Sequence, residues 1–386
     1  MGEVRVLHCI QSLSWGGLEL YTVELIQNLA KAGVNQRVFC SAHSRVAEEL
    51  RHSNVELITF PEKKISKLKA ASLIRKISRA NKITHLHSHT RIDMWCCALS
   101  RWNTSSPKHI YNLYMNALPK RDLIHRWLFS KVDALCSSSE WVLSEARKNF
   151  PIAPEKLRLM RYGRKTEDYQ TNPSQREDLR AKMGFKKDDL VFGTLCRIDA
   201  GKGVRELVEA LDYLSDEEIK KIHMVIVGDP TILGKNSEGQ LTYESQSLEL
   251  SEWISQKASE PRLKGHLHRV PFQKNFIPYI DILDVFILAS YNETYSLSVL
   301  DSMLMEKPVI GTDAGGTTEQ VGKNERGFLT EPRNAKSLSE ALRFYIQNPD
   351  QVPQQGAKAR QWTLGQHSWD QTLTKTLALY KELEAR

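Results

Sequence analysis

The sequence predicts an α/β protein made of two doubly wound, Rossmann-like domains. Short apolar runs of strand character alternate with amphipathic helical stretches, the pattern of parallel sheets covered on both faces. A polar stretch at residues 163–174, containing Pro173, reads as the linker between the domains, and beyond it the alternation restarts. The 386 residues also exceed one ordinary core. The expected division is residues 1–165, residues 166–365, and a terminal helix in 366–386 able to pack back on the first domain.

Taken in order, Val4-Arg5-Val6-Leu7-His8-Cys9-Ile10 reads as the first strand. The turn Ser14-Trp15-Gly16-Gly17 follows, then a helix with Leu18, Tyr21, Leu25, Ile26 and Leu29 at helical spacing. Two glycines at the first strand-to-helix turn let a ligand approach backbone, but G-x-G-x-x-G is absent, so a nicotinamide or flavin site is not expected. Gln36-Arg37-Val38-Phe39-Cys40 and Val55-Glu56-Leu57-Ile58-Thr59-Phe60 are further strands. In Ile83-Thr84-His85-Leu86-His87-Ser88-His89, alternate histidines share one face of a strand. Three imidazoles in register suit zinc, yet no nearby acid or cysteine has the usual ligand spacing. The stronger reading is a strand end entering a cleft, with His89 on the ligand side.

Residues 108–131 interleave Tyr111, Tyr114, Leu123, Ile124 and Trp127 with Lys120, Arg121, Arg126 and Lys131. On a helix this suits an interfacial membrane contact or an amphiphilic acceptor, and equally a core-facing helix with cations outward. Beyond the polar stretch, Val191-Phe192-Gly193-Thr194-Leu195-Cys196 is a strand, and Arg197-Ile198-Asp199-Ala200-Gly201-Lys202-Gly203 sets two cations at its turn. Arginine suits bidentate phosphate binding and lysine adds a point charge. His223-Met224-Val225-Ile226-Val227-Gly228 is another strand. Asp284-Val285-Phe286-Ile287-Leu288 reads as a buried strand leading through a polar turn to a helix with Leu297, Leu300, Met303 and Leu304. Unpaired N–H groups of such a helix's first turn attract an anion such as a diphosphate, and Glu293 and Asp301 bracket the place.

Net charge is +8, distributed unevenly: residues 1–187 hold 32 Lys+Arg against 17 Asp+Glu, and the rest 22 against 29. A basic first half suits an anionic membrane surface, while no nucleic-acid module is recognised, so nucleic acid is not an expected partner. No apolar run approaches the ~20 residues of a membrane span. Met1-Gly2-Glu3-Val4-Arg5 leads directly into a strand, with no sign of a signal peptide. Six cysteines without a C-x-x-C pair read as reduced thiols of a cytoplasmic protein.

In order and spacing, these pieces resemble the GT-B retaining glycosyltransferases of family 4. Leu13-Ser14-Trp15-Gly16-Gly17-Leu18-Glu19 is similar to the family's Gly-Gly-x-Glu turn. Gly193 to Arg197, then Lys202-Gly203, resembles its diphosphate clamp. Glu293 to Asp301 stands at its Glu, seven residues, Glu signature, and Gly315-Gly316-Thr317-Thr318-Glu319 completes the pattern. The resemblance implies two domains facing across a cleft. It implies that Arg197 and Lys202 neutralise the donor diphosphate, with Glu293 beside the donor sugar. Backbone around Thr294, Tyr295, Ser296 and Leu297 would hold the phosphates, Asp301 the ribose, and Gly228 would lie at the donor strand end. Gly16 and Gly17 would close over the diphosphate. Asp301 is one methylene shorter than the family's acid. Tyr114 stands where relatives often carry a histidine at the reacting sugar: either it takes over that contact or the site is impaired. Asn112 and His89 are the acceptor-side candidates.

The expected activity is retaining, metal-independent transfer of a hexose from a UDP-sugar or GDP-sugar to a glycolipid or surface polysaccharide precursor. No cofactor is expected, and peripheral contact with the inner face of the membrane is. The alternative is a catalytically impaired scaffold that holds nucleotide sugar.

Overall fold

The structure, a computed structural model, describes residues 3–235, 238 and 240–386; Met1 and Gly2 of the leader-free reading lie outside them. The chain divides into two compact units, Met1–Gly163 with His367–Arg386, and Arg164–Gln366. Among the described residues, no helix is long and apolar enough to cross a membrane.

The first unit is built on seven strands: β1 (Arg5–Cys9), β2 (Asn35–Ser41), β3 (Glu56–Phe60), β4 (His85–Ser88), β5 (Lys108–Asn112), β6 (Ala134–Ser137) and β7 (Leu157–Leu159). They pair in the order β3-β2-β1-β4-β5-β6-β7, all parallel. The order reverses between β1 and β4, and ligands of open α/β sheets bind outside the strand ends at such a point. Parallel strands covered on both faces are nearly continuous apolar runs, and Val6, Leu7, Cys9, Leu86 and Ile110 are fully buried. The terminal helix Trp369–Ala385 belongs to this unit. Its Trp369 ring lies parallel to Tyr21 at 5.6 Å, and the Tyr380 carbonyl pairs with His85 Nε2 at 3.0 Å.

The structure corrects one element. Residues 108–131 do not form one amphipathic helix: residues 108–112 are β5, and a helix starts only at Leu123–Ser130. Asp122 caps that helix by accepting from the His125 N–H at 3.0 Å. Pro119 lies in the loop before it, and Ile110 and Tyr111 satisfy their backbones in the sheet.

The second unit holds β8 (Leu190–Leu195), β9 (Ile222–Val227), an antiparallel hairpin β10 (Ile232–Lys235) and β11 (Leu241–Tyr243), then β12 (Leu267–Val270), β13 (Val285–Leu288), β14 (Val309–Thr312) and β15 (Gly327–Thr330). Its main sheet runs β12-β9-β8-β13-β14-β15, all parallel, and reverses between β8 and β13. Phe192, Ile226, Val285 and Ile287 are among its buried strand residues.

The polar stretch 163–174 is not a free linker. Arg164 and Tyr169 are buried, and Asn172 caps the helix Pro173–Lys182 through a 3.2 Å bond from Gln175 N. Composition shows polarity there but cannot show which polar groups find buried partners.

Candidate active site

In the second unit, the loops after β8, β13 and β14 meet at the sheet's reversal point. Gly203, at φ +64°, ends the 197–203 turn; a Cβ there would lie 2.0 Å from the Ala289 carbonyl oxygen. Only glycine permits that approach, and the Tyr291 N–H donates to the Gly201 carbonyl at 3.0 Å, fastening the same two loops. The third loop joins through Glu293, whose carbonyl accepts from Gly316 N–H at 2.8 Å. Gly315, at φ +60°, leaves no room for a side chain against that carbonyl.

This scaffold brings Lys202 and Glu293 together, Nζ to Oε2 at 2.7 Å, both side chains about one-fifth exposed. Burial alone would favour neutral Lys202, but the Glu293 charge and hydrogen bond outweigh it and raise the ammonium above its usual value. Arg197 lies on the same turn with a largely exposed side chain, 3.7 Å from Asp199. Gly228 directly follows β9, and its carbonyl accepts from Arg269.

The helix Leu297–Leu304 opens with Ser296 as its cap, whose Oγ accepts from Val299 N–H at 3.4 Å. Gln320 grips the Ser296 backbone from both sides, accepting from its N–H at 2.9 Å and donating to its carbonyl at 2.8 Å. The Ser296 N–H is therefore committed to protein, and the first-turn donors that point onward are those of Leu297 and Ser298. Tyr295 is buried and Thr294 half-buried beside them. Gln320 has no signal in the sequence, because its role depends on a helix after β14 folding back onto this one.

Asp301 faces inward from that helix. Its Oδ1 lies 2.7 Å from Arg164 Nε and accepts from the Tyr169 hydroxyl at 2.7 Å. Burial holds its carboxyl above the usual range against the opposing pull of Arg164 and Tyr169. Arg164 and Tyr169 lie in the stretch that polarity marks as a linker, so neither stands out as an anchor.

In the first unit, Gly16 precedes the helix Gly17–Lys31, and Glu19 closes the turn. Its Oε2 accepts from the Gly16 N–H at 2.9 Å and its Oε1 from the Ser12 hydroxyl at 2.5 Å. The glutamate of the Gly-Gly-x-Glu turn thus acts as a cap. His89, Asn112 and Tyr114 come together: Asn112 Nδ2 donates to Tyr114 Oη at 2.9 Å, and His89 Nδ1 lies 3.2 Å from the same oxygen. Burial pushes the Tyr114 phenol well above its ordinary value and the His89 imidazole well below its own.

Residues 175–362 match the family described as Glycosyl transferases group 1, and residues 15–168 match Glycosyltransferase Family 4. Among solved structures, a glycosyltransferase from Rickettsia africae ESF-5 superposes with TM-score 0.83 at 20% identity, covering 99% of each chain. Anabaena Alr3699/HepE in complex with UDP and glucose superposes with TM-score 0.80 at 17% identity, over 98% of this chain and 100% of that one. These likenesses define the GT-B fold. The chain belongs to this glycosyltransferase family, with the Family 4 part in its first unit and the group 1 part in its second. Among curated relatives, the D-inositol 3-phosphate glycosyltransferase of Corynebacterium glutamicum (strain R) is 21% identical over 95% of this chain and 92% of its own. The putative glycosyltransferase EpsD of Bacillus subtilis (strain 168) is 23% identical, the match spanning 62% of this chain and 58% of EpsD.

Proposed function

We propose that the protein is a retaining glycosyltransferase moving a hexose from a nucleotide diphosphate sugar, UDP- or GDP-linked, to a glycolipid or surface polysaccharide precursor. The observation that carries this is the Lys202–Glu293 pair between loops fastened at the reversal point of the second sheet. A cation held there by a carboxylate, next to first-turn N–H groups, suits a diphosphate leaving group. Arg197 is exposed and adds a second cation. The anionic leaving group is met by side-chain cations and helix N–H groups, so the transfer step itself is assigned no metal or other cofactor. In front-side displacement the donor C1–O bond breaks as the acceptor oxygen bonds to C1 on the same face. The departing phosphate then takes the acceptor proton. Glu293 lies at the donor sugar, Gly16 and Gly17 serve the diphosphate, and His89, Asn112 and Tyr114 take the acceptor side.

Membrane contact is assigned to the first unit. Met115, Leu118, Leu123 and Ile124 are exposed, 63–81% in each case, with Lys120 and Arg121 among them in sequence and Arg126 just after. Exposed apolar side chains interleaved with cations suit an anionic bilayer surface at the inner face of the membrane.

A second reading is a nucleotide-sugar-binding scaffold without turnover. Tyr114 favours it, since its hydroxyl is already engaged by Asn112 and His89. Product release from UDP-, GDP- and ADP-sugars, with and without lipid extract, separates the two. Release of one nucleotide that rises with extract is the expected result. Tight binding without release would establish the scaffold, and no binding of any donor would remove the donor assignment.

A further inference from the structure

The three histidines of the first sheet form a cluster of which the transfer reading uses only His89, and that only on the acceptor side. His8 on β1 pairs in register with His87 on β4, and His89 follows two residues on, so all three imidazoles stand on one face. All are buried. Their ring centroids lie 5.1 Å (His8–His87), 5.3 Å (His8–His89) and 4.6 Å (His87–His89) apart. One donor atom from each falls within 4.8 Å of the others. Three imidazoles bound tetrahedrally through nitrogens about 2.0–2.1 Å from an ion would place their centroids roughly 5 Å apart.

The outer nitrogens of His87 and His89 face oxygens. His87 Nδ1 lies 2.8 Å from the Tyr380 hydroxyl. His89 Nδ1 lies 3.2 Å from the Tyr114 hydroxyl and 3.4 Å from that of Thr22. Gln36 Oε1 and His8 Nε2 are both buried with no hydrogen-bond partner among the described residues, and the nearby Gln36 side chain favours the protonated His8 ring. A neutral imidazole carries one N–H. If the outer nitrogens donate to these oxygens, the inner ones present only lone pairs, and His8 Nδ1 meets His89 Nε2 at 3.0 Å. Moving the His89 proton inward satisfies that pair but leaves His87 Nε2 buried without a partner among the described residues. A cation at the centre satisfies all three at once.

We propose that His8 Nδ1, His87 Nε2 and His89 Nε2 bind a divalent transition metal of the zinc class, with Tyr380, Tyr114, Thr22 and Gln36 orienting the rings. Neutral imidazoles are the ligand form, and oxygens on the outer nitrogens fix which nitrogen points inward. Burial keeps the rings neutral, His87 down to about 4 and His8 and His89 well below their usual value. His87 also borders a small cavity with Asn112, Tyr114 and Cys136. The metal would tie β1 to β4 beneath the acceptor residues. It shares no residue with the Lys202–Glu293 donor site, so its binding is independent of the donor chemistry.

The test uses the full chain, stripped by chelator, titrated with Zn2+ by calorimetry and with Co2+ by visible absorption. The expected result is saturable binding of roughly one equivalent with a nitrogen-ligated Co2+ spectrum. His87→Gln should abolish it. Tyr380→Phe, which keeps the ring packed, should weaken it about 10- to 100-fold. Absence of saturable binding, a thiolate-to-cobalt charge-transfer band, or equal affinity in wild type and both variants would overturn the site.

Discussion

Lys202→Ala is expected to slow sugar transfer by roughly two to three orders of magnitude, the usual effect of removing one preorganised group that meets charge developing in the transition state. Lys202 is held by Glu293 at 2.7 Å, so in the proposed role it would meet a diphosphate already ordered. Preorganisation of this kind is what separates it from Arg197, whose side chain is 62% exposed and paired only at 3.7 Å. Arg197→Ala should therefore weaken nucleotide diphosphate binding less, and more at low salt than at high salt, because an exposed cation is screened. Removing Lys202 also leaves the Glu293 carboxylate facing the diphosphate without its counter-charge, adding repulsion to the lost attraction. Calorimetry with UDP and GDP, together with single-turnover rates, separates the two contributions. Unchanged affinity and rate in Lys202→Ala would remove the clamp assignment. Rescue in Lys202→Ala/Glu293→Gln would show that the bare carboxylate, rather than the missing cation, carries most of the loss.

The parallel sheets were legible because strands buried on both faces read as short apolar runs, as Met224-Val225-Ile226-Val227 and Val285-Phe286-Ile287-Leu288 do. The turn carrying Lys202 was legible for a related reason: closely placed glycines and cations after a strand are a local pattern. What composition could not convey was pairing at a distance. Residues 108–112 have aromatic and basic character compatible with an amphipathic helix, and only their position between β4 and β6 makes them a strand. The hairpin of β10 and β11 is short, with Ile232, Leu233 and Leu241 exposed, so no apolar period marks it. Gln320 and Arg164 act on residues 24 and 137 positions away, Ser296 and Asp301. Neither contact has a sequence period, and both act directly on the helix Leu297–Leu304 and its cap.

Asp301 is where the motif and the packing make different demands, and its replacement is expected to be felt first in stability. In Asp301→Ala the Arg164 guanidinium stays buried without its carboxylate, and the Tyr169 hydroxyl loses its acceptor. Breaking a buried ion pair by removing one member costs about 3–5 kcal/mol. For a unit of this size each 1 kcal/mol shifts the melting point by roughly 2–4 °C, so a fall on the order of 10 °C is expected. Arg164→Met/Asp301→Leu removes both charges and should recover much of the loss, since an apolar pair of similar volume leaves no bare ion. Equal melting points for wild type and Asp301→Ala would show that the pair contributes nothing net. The ribose assignment is tested separately with Asp301→Asn, which keeps the shape and an acceptor for Tyr169. If Asp301 also accepts from ribose hydroxyls, this variant loses discrimination between ribose and 2′,3′-dideoxyribose nucleotides. If discrimination persists at the wild-type level, the acid holds Arg164 and Tyr169 beneath the helix Leu297–Leu304, and the helix N-terminus alone faces the donor.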